Sequence, residues 1–233
     1  MPEPAADVLA RVVSVNTGLP TPLVPAGGSE PTAHTSAIAK TPVHGRVPVG
    51  LLGLQGDGVA DARNHGGPDK AVHAHFLHHL AWWSAQRGAP LPPGAIGENL
   101  TLAAPLAGGS EPDEVTFCIG DVVEIGSCVL QVTQPRIPCF KQAERLAIPD
   151  AVARVVASGR CGLYLRVLQP GDIGAGDVAR LRHRPNPRLT VAEAHRFVHR
   201  ARGDAALAAA VAGAAGVGSE LRQRAERTRA QTP

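Results

Sequence analysis

Aromatic side chains are scarce in this 233-residue chain, since phenylalanine, tryptophan and tyrosine together make up 3% of it. Proteins that bind single-stranded nucleic acid stack bases on such rings, and most nucleic-acid-binding domains carry a dense basic patch. The net charge here is only +3, and arginines near the C-terminal end supply much of the excess. We therefore expect no nucleic-acid partner, although a mildly positive protein still favours a small anionic ligand.

Several signatures of other protein classes are also missing. The four cysteines form no Cys-x-x-Cys pair and fit no common zinc spacing. The beginning of the sequence shows no cationic segment followed by an apolar core, and the longest apolar runs are too short to span a bilayer. We expect no membrane association and a cytoplasmic location, where thiols stay reduced. The chain also lacks G-x-S-x-G, P-loop and G-x-G-x-x-G motifs, so serine-hydrolase and ordinary nucleotide-binding functions are unsupported.

Short β-branched runs separated by glycine and proline turns fill the first 185 residues. Many short strands with few helices are typical of a barrel or closed sheet. The predicted strands cover residues 9–15, 47–54, 71–76, 96–102, 115–119, 122–125, 128–133, 161–168 and 177–181. Helices are predicted over 77–87 and over 143–157, the second broken by Pro149. Residues 1–185 are therefore predicted to form a mostly β, barrel-like domain.

The sequence changes character after residue 185. Thr190 and Glu193 form a capping box, and Asp204 and Ser219 are suited to cap a second and a third helix. Residues 186–233 are accordingly predicted to form a small three-helix subdomain. Its alanine-rich composition provides helix propensity but little core volume, so we expect it to pack on another surface. A helical tail on a β domain also favours a homodimer.

Cys139 is the most informative single residue. It lies between a proline and a phenylalanine, with Arg136 three residues before it and Lys141 two residues after it. Nearby positive charge favours the thiolate, which attacks electrophiles and binds soft metals. Most free cysteines are instead small buried hydrophobes. The cysteines expected to be of that ordinary kind are Cys118, Cys128 and Cys161.

Three further clusters place charged or amide groups beside glycines at strand ends, over residues 36–40, 56–70 and 97–100. Loops at the ends of strands are where a barrel presents a site. Within the second cluster, the glycines of 63–67 allow backbone N–H groups to approach an anion closely. The same residues also fit a tight surface turn with solvated charges, and both interpretations stay open. Lys70 fits either a solvated strand edge or a phosphate contact.

Two other polar groups also have more than one interpretation. Glu98 can act as a general acid or base oriented by Asn99, or Asn99 can simply bond within a turn. His73 and His75 share one face of a predicted strand. Histidines spaced i,i+2 are weak evidence for a metal site without further ligands.

Taken together and in this order, the clusters resemble the MOSC family, named for the C-terminal domain of molybdenum cofactor sulfurase, and its YiiM-type branch in particular. The resemblance extends from about residue 9 to residue 184, and the tail resembles the three-helix domain that follows in this branch. Any one motif is weak, but the ordered set is specific. The matching segments are 36–40, 53–57, 65–72, 97–100, 120–121, 134–139 and 166–171.

The resemblance implies a MOSC-type β-barrel that binds the molybdenum–pyranopterin cofactor, with Cys139 as the catalytic thiolate and the metal ligand. Thiolate is a soft, strongly donating ligand, which suits molybdenum. Six side chains are expected to meet the cofactor phosphate or the pterin edge: Lys40, Arg63, His65, Lys70, Arg136 and Arg166. Asn99 is expected to hold the pterin ring, and Asp57 and Glu98 to orient the cations.

The activity that the resemblance implies is reduction of N-hydroxylated compounds, including hydroxylaminopurine-type bases that a cell would need to detoxify. The sequence contains no flavin or iron–sulfur motif, so a separate electron-donating reductase is required. Pyridoxal phosphate is not expected. The chain departs from the family pattern in a longer loop over 18–37, and in Ala62, where a second basic residue is frequent.

Two other functions remain open from the sequence. The first is a non-enzymatic carrier, in which Cys139 holds a persulfide or the chain passes the cofactor to other proteins. The second is a binding protein for another small anion, in which Cys139 is merely buried.

Overall fold

A closed seven-stranded β-barrel forms the centre of the computed structural model, which describes residues 7–106, 108–201 and 203–231. The outermost residues of both predicted domains, 1–6 and 232–233, lie outside this range. The strands are β1 (Val8–Thr17), β2 (Thr21–Pro22), β3 (Thr35–Ser36), β4 (Thr41–Pro42), β5 (Arg46–Gly50), β6 (Gly53–Leu54), β7 (Val72–Phe76), β8 (Leu100–Ala103), β9 (Val122–Ile125), β10 (Cys128–Pro135), β11 (Leu163–Gln169), β12 (Gly171–Gly174) and β13 (Val178–His183). The helices are α1 (Ala62–His65), α2 (Leu77–Arg87), α3 (Phe140–Leu146), α4 (Ala151–Ser158), α5 (Val191–His199), α6 (Ala205–Gly213) and α7 (Ser219–Gln231), with a 3-10 helix over Pro68–Lys70.

The barrel strands follow the order β13-β9-β10-β11-β7-β8-β1, and a β1–β13 pairing closes the ring. Strands β7 and β8 are parallel, and the other barrel neighbours are antiparallel. Strand β4 continues the sheet beyond β1, while β12-β5-β6 and β2-β3 form two small additional sheets. The predicted mostly β, barrel-like fold is confirmed.

Strand β7 is buried over its whole length, although it carries two histidines. It lies between β11 and β8, and the side chains of Leu80 and Trp83 on α2 are buried in the same core. Burying each such apolar side chain contributes roughly 1.5–3 kcal/mol. Strand β7 is therefore held by a neighbouring strand at each edge and by the packing of α2. Helix α2 covers the predicted range. The next residue, Gly88, has a left-handed backbone, and its N–H donates to the carbonyl of Ser84 and ends the helix.

The strand predicted over 115–119 is wrong. This segment forms a turn with a single bridge from Cys118 to Thr190. Local side chains take the backbone donors that a neighbouring strand would have used. The Asp113 carboxylate accepts from the N–H groups of Val115 and Thr116, and Asp121 accepts from that of Cys118.

The predicted helix over 143–157 is divided into two, as Pro149 indicated. Helix α3 ends at Leu146 and is followed by Ala147 in the left-handed conformation, with φ of 55°. Helix α4 begins two residues after the proline, at Ala151. At its other end, α3 begins directly after Cys139.

The three predicted tail helices are present as α5, α6 and α7. Thr190 accepts from the N–H of Glu193 at 3.1 Å and Asp204 accepts from that of Leu207 at 2.8 Å, which confirms both predicted caps. Ser219 differs, because it is the first residue of α7 itself. Its N–H donates to Asp69 of the barrel at 2.7 Å, so the barrel caps this helix.

Apolar residues of the tail belong to the same contiguous core as the barrel strands, among them Val191, Val211 and Leu221. The tail thus packs on the barrel, as we expected from its alanine-rich composition. The boundary between residues 185 and 186 stays a prediction. Within the described ranges, no helix combines the length and the apolar character that crossing a bilayer requires.

Candidate functional site

A cavity of about 780 Å³ opens among the loops at one end of the barrel, and we call it the main cavity. That volume includes the open mouth of the cavity. Its walls come from residues 36–40, 52–61, 65–73, 96–99 and 136–141, together with Tyr164. Parts of all four polar clusters singled out in the sequence therefore meet in one place.

Cys139 lies in the cavity wall, half-buried, immediately before the first turn of α3. Burial alone would raise the pKa of its thiol. A hydrogen bond from His65 and the positive charge of Arg136 outweigh burial and lower the pKa to about 6, and the N–H of Gln142 contributes in the same direction. Most Cys139 side chains are therefore thiolates at neutral pH.

The other three cysteines behave differently. Cys118, Cys128 and Cys161 are buried, and burial raises the pKa of each thiol, to about 11 for Cys128. These thiols are protonated at neutral pH and shielded from solvent, which makes them poor nucleophiles. Their sequence-based assignment to packing agrees with this environment.

Lys40, Asp57 and Asn99 form one hydrogen-bonded network in the cavity wall. The Asp57 carboxylate pairs with the Lys40 ammonium and accepts from Gly18 N–H at 2.9 Å and from the Asn99 amide at 2.8 Å. Asn99 Oδ1 accepts from the backbone N–H of His73 at 3.0 Å. Asp57 thus holds the Lys40 ammonium in place, and its expected role toward a bound cofactor stays a prediction. Asn99 is already bonded at both ends of its amide, so its main role here is to fix the strand ends.

Cations outnumber carboxylates in the lining of the main cavity. Lys40, Lys70, Arg136 and Lys141 face only two carboxylates, those of Asp57 and Asp61. Arg136 is buried and bonds to Gln142, and Lys141 donates to the carbonyl of Thr35 at 2.9 Å. The excess of positive charge favours an anionic ligand.

His65 links Cys139 to Tyr164. Its Nδ1 lies 3.2 Å from the Tyr164 hydroxyl, and the ring also bonds to the sulfur of Cys139. Burial raises the pKa of Tyr164 to about 12, so the phenol keeps its proton. His65 is thereby held against the thiolate by a neutral hydroxyl.

His73 carries an unsatisfied acceptor in the wall of the main cavity. Its Nδ1 lies 3.0 Å from the carbonyl of Gly97, which can only accept, so Nδ1 carries the proton. Nε2 is buried and has no protein partner. Burial holds the pKa of His73 well below its usual value, which keeps this ring neutral. A donor from an ordered water or from a bound molecule would satisfy such an atom.

Behind His73 lies a second polar group, formed by His75, His79 and Glu114. Burial keeps the pKa of both histidines well below the usual value and raises that of Glu114 to about 7. His79 Nδ1 and Glu114 Oε1 are 3.7 Å apart, beyond hydrogen-bond distance. In the described part of the chain, no group of three or more histidine, cysteine or acidic residues is arranged to hold a metal ion.

Three of the predicted residues lie away from the main cavity. Arg63 is exposed on α1, and Arg166 pairs with Asp69 at 2.5 Å. Glu98 is fully buried and accepts from the N–H of Gly94 at 2.7 Å, so it holds the loop rather than orienting a cation. Burial raises the pKa of Glu98.

The sequence interpretation missed three lining residues: His73 as a ligand contact, Lys141 and Tyr164. Tyr164 is the one tyrosine in the sequence and pairs in register with His73 across β11 and β7. A lone tyrosine in an apolar strand was the available signal. Lys141 was noted only as a neighbour of Cys139.

Comparisons with known proteins agree with this arrangement. A family model described as MOSC domain matches residues 61–180. The chain is 37% identical over 186 residues to uncharacterized protein YflK of Bacillus subtilis (strain 168), across 80% of this chain and 79% of YflK. It is 38% identical over 169 residues to a protein named Reductase from Gibberella moniliformis, across 70% of this chain but only 28% of that protein. The crystal structure of YiiM from Geobacillus stearothermophilus superposes with a TM-score of 0.76 at 30% identity, covering 94% of this chain and 99% of that one.

Proposed function

Because the chain belongs to the MOSC domain family, we propose that it is an oxidoreductase that binds a molybdenum–pyranopterin cofactor in the main cavity and reduces N-hydroxylated compounds, hydroxylaminopurine-type bases among them. The observation that carries the proposal is the Cys139 thiol, which borders a cavity and has a pKa of about 6. A thiolate at neutral pH is a soft donor of the kind that molybdenum accepts. The relative named Reductase supports an oxidoreductase role.

The chemistry of the main cavity fits such a cofactor. The cofactor carries a phosphate. Lys40 and Lys70 are already paired with Asp57 and Glu220, and the lining cations Arg136 and Lys141 can give charge-assisted hydrogen bonds to such an anion. Its pterin carries ring N–H groups, and the unpartnered Nε2 of His73 is a buried acceptor suited to one of them. The thiolate, the cations and the acceptor thus correspond to the metal, the phosphate and the ring N–H groups of the proposed cofactor.

Each residue has a defined task in this proposal. Cys139 would ligate the molybdenum, Arg136 and Lys141 would pair with the phosphate, and His73 would accept from the pterin. When bound, the cofactor would supply the two electrons that cleave the N–O bond. Asp57 and Asn99 keep Lys40 and the start of β7 in place through the bonds already described. His65 stabilises the negative charge on the sulfur.

Reduction of a hydroxylamine to an amine consumes two electrons and two protons and releases water. The sequence has no flavin or iron–sulfur motif, so the electrons must come from a separate reductase. An electron-donating partner is accordingly part of the proposal.

Metal analysis tests the proposal directly. Protein purified from a host that makes the cofactor should contain about one molybdenum and one pterin per chain, and Cys139→Ser should contain little of either. The same preparation should convert hydroxylaminopurine to adenine when a reductase and its electron donor are added. Cofactor binding without turnover would instead favour the carrier function.

Cys118→Ser is the matched control. Cys118 is buried and its sulfur lies 3.6 Å from the carbonyl of Pro187, to which a serine hydroxyl can also donate. This variant should keep the molybdenum content of the wild type. Equal molybdenum in Cys139→Ser and Cys118→Ser would remove the claim that Cys139 is the metal ligand.

A further inference from the structure

Two leucines form the tip of a β-hairpin at the mouth of the main cavity. Gly50 of β5 pairs with Gly53 of β6, so the loop between these strands consists of Leu51 and Leu52 alone. Two-residue hairpin loops are normally built from glycine, asparagine and aspartate. Leu51 is 57% exposed and Leu52 is 75% exposed, so neither side chain contributes much to the core. The fold therefore does not explain why this tip is apolar.

The hairpin tip belongs to a larger exposed surface, which we call the apolar rim and which consists of Leu19, Leu51, Leu52 and Val59. Leu52 and Val59 line the main cavity. Leu19 lies against Gly58, the residue before Val59, since a Cβ at Gly58 would be 3.3 Å from Leu19 Cδ2. Among the described residues ten large apolar side chains are exposed, and four of them form this rim. Such clustering of exposed apolar side chains is typical of a binding surface.

Cations lie near the same mouth. Arg136 and Lys141 line the main cavity, and Arg63 is exposed on α1, between the lining residues Asp61 and His65. Because the cations of the lining outnumber its carboxylates, a protein with an acidic surface is attracted to this side of the molecule and one with a basic surface is repelled.

The small size of the apolar rim indicates a short-lived contact. Permanent complexes bury large apolar interfaces, whereas the transient encounters of electron-transfer proteins bury less than about 1,200 Å². In the relative from Gibberella moniliformis, the matched segment is only 28% of the protein, so a domain of this kind also occurs joined to a longer polypeptide. Both observations favour another protein, in a transient complex, as the occupant of the rim.

We infer that the apolar rim is the docking surface for the electron-donating protein, and that this partner carries an apolar contact patch surrounded by acidic residues. The inference rests on the proposed function, because the proposed reduction is what requires an electron donor. A cofactor held in the main cavity is reached from outside through the mouth, and the rim forms one side of that mouth. A protein docked on Leu51 and Leu52 therefore brings its redox group to the cavity entrance.

Binding of two small acidic electron carriers, a flavodoxin and a plant-type ferredoxin, to the full-length protein tests this inference without relying on turnover. Titration calorimetry gives the Kd of each carrier for wild type, Leu51→Asp and Leu52→Asp. At least one carrier should bind the wild type, and more weakly as salt is added. Each substitution should raise its Kd about tenfold, since it places a carboxylate in an apolar contact that faces an acidic partner. Both leucines are exposed, so the variants should fold.

Leu106→Asp is the matched control, because Leu106 is 85% exposed and does not line the main cavity. It should bind the carrier with the wild-type Kd. A wild-type Kd in both rim variants would overturn the docking surface, and so would failure of both carriers to bind the wild type. Binding of phosphatidylglycerol vesicles that depends on Leu51 and Leu52, in place of carrier binding, would also overturn it and make the rim a membrane contact.

Reduced methyl viologen, a small chemical donor that needs no docking surface, separates this inference from the proposed function. With methyl viologen, Leu51→Asp should reduce hydroxylaminopurine at the wild-type rate, whereas with the carrier its half-saturating carrier concentration should rise about tenfold. Viologen-driven turnover together with an unchanged carrier Kd in both rim variants overturns the docking surface and leaves the proposed function standing. Rim-dependent carrier binding in protein that never acquires molybdenum supports the docking surface and removes the proposed reduction.

Discussion

The Cys139 sulfur owes its chemistry to neighbours that are distant in sequence. His65 donates a hydrogen bond and Arg136 contributes positive charge, and together they overcome the opposing effect of burial on the pKa. Tyr164 then fixes the ring of His65. The ionised thiol is thus a property of the assembled site and not of the local peptide alone.

The first prediction concerns the reactivity of this thiol. In cofactor-free protein, alkylation of Cys139 by iodoacetamide should rise with pH with a midpoint of about 6, because only the thiolate reacts. His65→Phe should shift the midpoint upward by roughly one unit, since it removes the donor to the sulfur. Peptide mapping by mass spectrometry measures the rate at each pH.

The three buried cysteines serve as internal controls in that experiment. Cys118, Cys128 and Cys161 should stay unmodified while the protein is folded. A midpoint for Cys139 near the ordinary thiol value of 9.0 would contradict the prediction.

The second prediction concerns the Lys40–Asp57 pair, whose side chains are 6% and 10% exposed. Asp57→Asn leaves a buried ammonium without its counter-ion, which should lower the free energy of unfolding by about 3–5 kcal/mol. Denaturant unfolding measures the change. Asp150→Asn breaks an exposed pair with Arg154 and should leave the free energy of unfolding close to the wild-type value. Equal effects of the two substitutions would show that the Lys40 pair is not buried in solution.

At the residue level the sequence indicated Cys139 and the cations but not their partners. Cys139 has Arg136, Pro138 and Lys141 as near neighbours in the sequence, so a thiol of lowered pKa could be expected. The contact between Cys139 and His65 depends on how the loop 65–70 packs against the barrel, and no local sequence pattern predicts that packing. Glu98 shows the reverse case, because a polar residue beside the site turned out to hold backbone N–H groups.

At the level of elements, the decisive contact is the one between α7 and the loop 65–70. Asp69 accepts from the N–H of Ser219 and pairs with Arg166, and Lys70 pairs with Glu220. Burial raises the pKa of Asp69, but the bonds from Ser219 and Arg166 outweigh it and hold the pKa below its usual value. The tail therefore fixes the same loop that presents His65 to the thiolate.

The third prediction follows from this contact. Asp69→Ala removes a helix cap and a partly exposed ion pair, and the loss should amount to about 1–2 kcal/mol. Hydrogen exchange should increase in the first turn of α7 and in residues 65–70 together. Asp204→Ala, which removes a cap within the tail, should increase exchange at the start of α6 and near its ion-pair partner Arg196, but not in residues 65–70. Unchanged exchange in residues 65–70 of Asp69→Ala would show that the tail does not stabilise this loop.

Elements with a strong local pattern could be predicted, and those governed by side-chain competition could not. Helix α2 and the hairpin β9–β10 follow the sequence closely. The segment 115–119 has strand-like composition, yet Asp113 and Asp121 take its backbone donors and make a turn. The cap of α7 was also beyond local sequence, since it comes from a residue 150 positions earlier.

For the whole molecule, buried titratable groups determine how stability depends on pH. His73, His75 and His79 stay neutral when folded, whereas unfolded histidines gain protons below about 6.5. The contribution of these histidines to the free energy of unfolding is complete above that pH and is lost as the pH falls. Glu98 and Glu114 have raised pKa values, so they have the opposite effect on stability. Their contribution to the free energy of unfolding is complete below pH 4.5 and is lost as the pH rises.

The fourth prediction is that the histidines prevail, so the free energy of unfolding rises between about pH 5 and pH 6.5. Glu114→Gln removes one opposing group, whose pKa is about 7, and should steepen the rise by about 1 kcal/mol per pH unit. Chemical denaturation at several pH values measures both slopes. Glu226→Gln should keep the wild-type slope, and an unaltered slope in Glu114→Gln would contradict the assignment.

The family and the barrel could be recognised from the ordered motifs, and both are confirmed. The contact between α7 and the loop 65–70 could not, because it joins segments that are remote in sequence and share no pattern. Lys70 and Glu220, which pair there, are 150 positions apart.

The pairing of β1 with β13 has a consequence for any electron-donating partner. A ring of seven hydrogen-bonded strands leaves no unpaired barrel edge onto which a foreign strand can be added. A partner that bound by strand addition would therefore have to use the short edges of the two small sheets, such as β6 and β12, because the barrel itself presents side chains and loops.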